Sequence, residues 1–145
     1  MDLSPRAPAP SEGGASGFDF WLGEWSCSFT NGSAVNRITK ILGDQVIQED
    51  FQSAGLNGQS FSVFNEQRQL WMQTWVDDQN SYLLFMGRRE PDRMILVGRR
   101  PDGTPNGMRM VWDEITGAAF SWDYQKQSED GRWSSQWKIA YRRRS

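Results

Sequence analysis

Histidine is absent from the 145 residues, and cysteine occurs once. Without imidazole, a Ser-His-Asp or Cys-His nucleophile pair, histidine metal ligands and histidine-ligated haem are all excluded. A single thiol, Cys27, makes neither an internal disulfide nor a thiolate metal cluster. It alternates with Trp25 and Phe29, which reads as a small buried hydrophobe rather than a nucleophile. The acid–base groups that remain are carboxylates, lysine, tyrosine and water. Neither a metal nor a cofactor is implied.

The chain also lacks an excess of either charge. Lys+Arg number 16 and Asp+Glu 18, a formal net charge of -2. This balance argues against a nucleic-acid partner and against an anionic membrane surface. The basic run Arg142-Arg143-Arg144 is short and terminal. No apolar run is long enough for a membrane span or a signal-peptide core, so a reduced, cytoplasmic setting is the simplest expectation. Sustained amphipathic helical periodicity is missing as well.

What the chain has in abundance is tryptophan, with eight. Its organising stretch is Phe18-Asp19-Phe20-Trp21-Leu22-Gly23-Glu24-Trp25. A helical turn there puts Phe18, Trp21 and Leu22 on one side. Gly23 lets the backbone turn, and Trp25 opens the extended run Trp25 to Thr30. The hydrophobic period falls from near 3.6 to 2 within a few residues, as expected for a plug followed by a first strand. Ahead of it, residues 1–17 hold Pro5, Pro8 and Pro10 among small and polar residues and are expected to stay disordered. Residues 18–145 are then one domain.

Nine further extended runs follow, separated by Gly, Asn and Asp turns. They are Asn36 to Leu42, Val46 to Gln52, Ser60 to Phe64, Leu70 to Val76, Ser81 to Gly87, Arg93 to Gly98, Met108 to Asp113, Ala119 to Gln127 and Trp133 to Arg142. The fold class expected is all-β, an up-and-down antiparallel β-barrel of about ten strands with a short N-terminal helical plug. Closure removes the edges such a meander would otherwise expose.

Gly23-Glu24-Trp25 resembles the GxW motif that opens the first strand of calycins, the lipocalin-like superfamily. In that superfamily a turn of helix covers one barrel end, and a basic residue from the last strand lies across the Trp. The resemblance gives structural roles to Trp25 and to Arg143 or a neighbour. The wider pattern FDFWLGEW, NRITKILG, LWMQTWVD and a last strand ending in YRRR resembles DUF1579, a family of small bacterial lipocalin-like proteins, over roughly residues 18 to 144. It implies a barrel with an internal cavity and brings no activity with it. Haem-binding relatives in the superfamily use a histidine ligand, which this chain does not have.

Alternation divides each strand into two faces. Trp71, Gln73 and Trp75 share one; so do Met108, Met110 and Trp112; so do Phe120, Trp122 and Tyr124. On the last strand Trp133, Ser135, Trp137, Ile139 and Tyr141 fall together. Turned inward, these faces give a ligand-binding lining of Trp71, Gln73, Trp75, Trp112, Trp122, Tyr124 and Trp137, with Asn36 and Ser62 as further inward hydrogen-bonding groups. The alternative is a solid interior of aromatics packed on each other, in which Asn36 and Ser62 belong to satisfied internal pairs.

Glu49, between Ile47 and Phe51, is the carboxylate that an inward third strand would bury. There its pKa would rise, and it would serve as a general base or hold a cation. The alternatives are that Val46, Gln48, Asp50 and Gln52 point inward, or that Glu49 pairs with Arg37 or Lys40 at a rim. Asp113 and Asp123 oppose aromatic faces and read as solvent-side. Asp77-Asp78 reads as a turn with no metal role.

Three functions fit these features. The first is binding of a small apolar or aromatic molecule between tryptophan walls. The second is a metal-free, histidine-free cyclase, isomerase or lyase with Glu49 as its catalytic carboxylate. The third is a filled interaction module, a homodimer through outward apolar positions such as Leu84 and Met86.

Overall fold

The computed structural model describes residues 14–145. Of the segment expected to be disordered, residues 1–13 lie outside the described residues. Residues 14–17 of that segment are described. Gly14–Ser16 form a 3-10 turn, and Gly17 is buried, its carbonyl accepting from Arg89 Nη1 at 3.4 Å. A second 3-10 turn covers Asp19–Trp21.

Ten strands follow among the described residues: β1 (Gly23–Phe29), β2 (Gly32–Ile41), β3 (Val46–Ser53), β4 (Asn57–Asn65), β5 (Leu70–Asp77), β6 (Tyr82–Arg89), β7 (Met94–Arg99), β8 (Pro105–Asp113), β9 (Ala119–Gln127) and β10 (Trp133–Arg143). Each pairs antiparallel with the next. β1 also pairs with β10, setting Trp25 opposite Arg143 and Cys27 opposite Tyr141, and the sheet closes into a barrel. No helix among the described residues is long and apolar enough to cross a membrane. A closed ten-stranded antiparallel barrel with this plug fits a calycin-like fold.

Side-chain alternation positions the interior. β2 buries Ala34, Asn36 and Ile38 and exposes Ser33, Val35, Arg37 and Thr39. β3 buries Ile47, Glu49 and Phe51, so of the two registers open to this strand the one with Glu49 inward is realised. Several strands start earlier than their apolar residues do: β2 at Gly32, β4 at Asn57, β8 at Pro105. Backbone pairing needs no apolar side chain, so the ladder runs on through polar residues that give no periodic signal.

β10 departs from simple alternation. Ser135 lies opposite Gln125, but Trp137 lies opposite Tyr124, so Gln136 is an extra residue at a bulge. The bulge turns the strand over. Trp137, Ile139 and Tyr141 face inward. Trp133 and Ser135, expected to share their face, lie instead on the outer face with Arg109 and Gln125, where the Arg109 guanidinium sits 4.3 Å from the Trp133 ring.

The plug fills one barrel end. The Phe18 ring lies 5.0 Å from Trp71 and 5.1 Å from Trp112, and Trp21 lies 5.4 Å from Trp112. These are edge-on contacts between rings almost fully removed from water. Trp25 Nε1 donates to the Trp21 carbonyl at 2.8 Å. Arg143 lies across the Trp25 ring at 4.3 Å and donates to the carbonyls of Leu22 (2.7 Å), Gly117 (2.9 Å) and Phe20 (3.4 Å). One side chain thereby ties the plug to the closing strand. Gly23 adopts φ 130, and a Cβ there would strike the Arg143 guanidinium. The glycine of the GxW triplet is required on both counts.

Candidate functional site

The inward residues of β5 run from the sealed end to the open one: Trp71 against the plug, then Gln73, then Trp75, then Asp77. The interior divides into three layers along that line.

The first is the sealed aromatic layer around Trp21, Trp25, Trp71 and Trp112. The second is polar. It contains Asn36, Glu49, Ser60, Ser62 and Gln73, all buried, with Tyr141 and Cys27. Glu49 is its centre. Its Oε2 accepts from Asn36 Nδ2 at 2.7 Å and its Oε1 from Ser60 Oγ at 2.7 Å. Asn36 donates its second amide proton to Tyr141 Oη at 2.9 Å. Gln73 Nε2 donates to Ser62 Oγ at 2.9 Å.

Burial raises the Glu49 carboxyl above its ordinary 4.5, and the hydrogen bonds from Asn36 and Ser60 pull it back only part of the way. Burial also pushes Cys27 up to about 12 and Tyr141 well above its ordinary range, so both are neutral. No cation among the described residues balances Glu49. The ion pairs among the described residues join Arg37 to Glu24, Lys40 to Asp19, Arg93 to Glu90 and Arg132 to Asp130. Pairing of Glu49 with Arg37 or Lys40 is therefore overturned: both cations engage other carboxylates, and Glu49 points the other way.

The third layer is a cavity of about 220 Å³. Its floor includes Glu49 and Tyr141. Its walls are Phe51, Trp75, Trp122, Tyr124 and Trp137, and its half-buried lip is Leu56, Asp77, Ser81 and Leu83. The rings brace one another: Trp122 stacks parallel to Tyr124 at 6.1 Å and meets Trp137 edge-on at 5.6 Å, while Phe51 lies 5.9 Å from Trp137. The Trp75 indole lies over Gly58, where a Cβ would strike the ring, and donates to Asp77 Oδ2 at 2.7 Å. Desolvation would raise the Asp77 carboxyl, but hydrogen bonds from the Trp75 indole and from the Ser81 and Gln79 amides outweigh it and hold the group below its ordinary range.

Of the residues expected to line a ligand site, Glu49, Trp75, Trp112, Trp122, Tyr124 and Trp137 border this cavity. Four do not. Trp71 is inward but lies two layers deeper, packed on Phe18 and Phe64. Gln73 and Ser62 satisfy each other, and Asn36 reaches the cavity only through Glu49 and Tyr141. Asp113 and Asp123 lie on the outer face, where Asp123 accepts from Gln125 Nε2 at 2.8 Å. Leu84 and Met86 face outward between the inward positions of β6. No group of three or more Cys, Asp or Glu side chains among the described residues is placed to hold a metal ion.

Sequence reasoning put Tyr141 on an inward face without giving it a role, read Asp77 as a turn residue only, and passed over Ser60 and Ser81. Counting from hairpin centres would have found Ser60. It lies as many steps after the Ala54-Gly55 turn as Glu49 lies before it, and the two are cross-strand partners. Ser62 and Gln73 flank the Gln67-Arg68 turn in the same way.

No family model matches the chain, and no curated protein matches it significantly. The site must be read from its own chemistry.

Proposed function

We propose that the protein is a receptor for one small hydrophobic or aromatic molecule, held in the cavity walled by Trp75, Trp122, Tyr124 and Trp137. The observation that carries this reading is an apolar hollow open at one end, with a buried polar layer as its floor. Sites of this make-up are the usual ones for small ligands. The volume limits the occupant. A dry cavity of about 150 Å³ holds a benzene ring, so this one suits roughly nine heavy atoms on the same scale, more if the ligand reaches past Leu56 and Leu83.

The test is a two-dimensional NMR titration of the indole N–H signals with benzyl alcohol. The expected result is movement of the Trp75, Trp122 and Trp137 signals, with Trp133 on the outer face unmoved. Leu83→Trp, which places a bulky ring at the lip, is expected to abolish the response while leaving the fold intact. Shifts that persist in that variant would sink the reading.

A second reading is supported by one feature, a carboxylate raised by burial and presented to the cavity. In it Glu49 is the general base of a metal-free cyclase, isomerase or lyase whose aromatic walls steady developing positive charge. Glu49→Gln would then keep the affinity for a neutral substrate and lose turnover. We also propose that the chain is a divergent DUF1579-type calycin. The support is its FDFWLGEW stretch, its helical plug and the Arg143 guanidinium stacked on Trp25.

A further inference from the structure

We propose that the ligand of this cavity is a small aromatic or alkyl amine, bound as its cation with the ammonium group against Glu49. This deepens the receptor reading and rests on it. Three independent features of the cavity carry it.

The first is charge. Among the described residues, the acidic and basic side chains that line the cavity are all carboxylates: Glu49 at the floor and Asp77 at the lip, with no lysine or arginine. In a hollow with low-dielectric walls the buried Glu49 acts on an entering ligand with little screening, and Asp77 adds a weaker, solvent-screened pull at the lip. Neutral and anionic ligands gain nothing from it.

The second is the state of Glu49. Buried carboxylates are ordinarily matched by a cation, and this one is held only by two neutral donors, Asn36 and Ser60. Both partners donate and so favour the ionised carboxylate, while burial, the larger effect, favours the acid; a cation arriving beside the group tips that balance to the ionised form. The remaining ionisable groups around it are Cys27 on β1 and Tyr141 on β10, both neutral, and Asp50, its neighbour on the opposite face of β3. None of them supplies the positive charge. An arriving ammonium does.

The third is the walls. A cation leaving water needs replacement contacts beyond one carboxylate. Trp122, Tyr124 and Trp137 present a cluster of π systems beside the floor, and Trp75 adds a fourth on the far wall. Aromatic enclosures of this kind hold organic cations. A benzyl-sized amine also fits the volume.

The experiment compares three probes of one size: benzylamine, charged at neutral pH; benzyl alcohol, neutral; and benzoate, an anion. Each is titrated at millimolar concentration against the full chain, with indole N–H shifts as the readout. Benzylamine is expected to bind at least about ten-fold more tightly than benzyl alcohol, and benzoate not at all. Glu49→Gln is expected to lower the affinity for benzylamine at least about ten-fold and to remove its advantage over the alcohol measured on the same variant. If benzyl alcohol binds and benzylamine binds no better, the cavity is a receptor and the amine inference is overturned. If none of the three moves the cavity indoles, the receptor reading falls and this inference with it. Should the Gln variant not fold, the comparison among probes on the unsubstituted chain still decides.

Discussion

At the scale of single residues, Glu49 is a strain the fold tolerates. In the unfolded chain its carboxyl titrates near 4.5, and in the folded chain burial holds it higher. Between those two values the folded state carries the extra proton. Its contribution to stability is therefore full below pH 4.5 and is lost as pH rises through the folded pKa. Urea denaturation as a function of pH is expected to show that loss in the wild-type protein and to show it flattened in Glu49→Gln. Cys27 behaves differently. Its thiol, pushed up to about 12, has a negligible thiolate fraction at neutral pH. A thiol–disulfide reagent is expected to label it fully in urea but several orders of magnitude more slowly in buffer. Fast labelling in buffer would mean that the β1–β10 seam opens readily.

Strands and turns decide what the sequence could reveal. Alternation put Glu49, Trp75, Trp122 and Trp137 on the inner face correctly, because the side-chain period is fixed by the backbone. It could not say how deep along the barrel each residue falls. Trp71 and Trp75 carry the same signal, yet one packs under the plug and the other walls the cavity. Depth depends on how neighbouring strands are staggered, and that is set by turn lengths and by bulges. The extra residue at Gln136 has no compositional mark, so the strand reads as unbroken and alternation puts Trp133 on the inward face. The β4–β5 pair offers a test of how finely the wall is built. Gly58 leaves the space that the Trp75 indole occupies. Gly58→Ala is expected to push that ring away from Asp77, costing about 2 kcal/mol as overpacking does. Urea titration with tryptophan fluorescence, and the loss of ligand response, report the two effects separately.

For the whole molecule, one latch holds the closed form. Arg143 spans the last strand, the plug and the Thr116–Ala119 turn region, with its guanidinium stacked on Trp25. Arg143→Ala is expected to lower the unfolding free energy by about 1–2 kcal/mol, measured by urea denaturation. Arg143→Lys is expected to recover little of it, since a single ammonium cannot meet three carbonyls set around a plane.

The seam that Arg143 guards is unlike the other nine. Every other ladder joins strands that follow one another in sequence, while this one joins Trp25 to Arg143, more than a hundred positions away. Tying so long a loop is costly, so the ring is expected to be completed after the meander has formed. Until then the half-built sheet presents two raw borders to any neighbouring molecule. Contacts made only at completion slow escape from the native state more than they hasten its formation. How long the protein lasts against clumping is therefore a matter of how rarely this one seam comes undone.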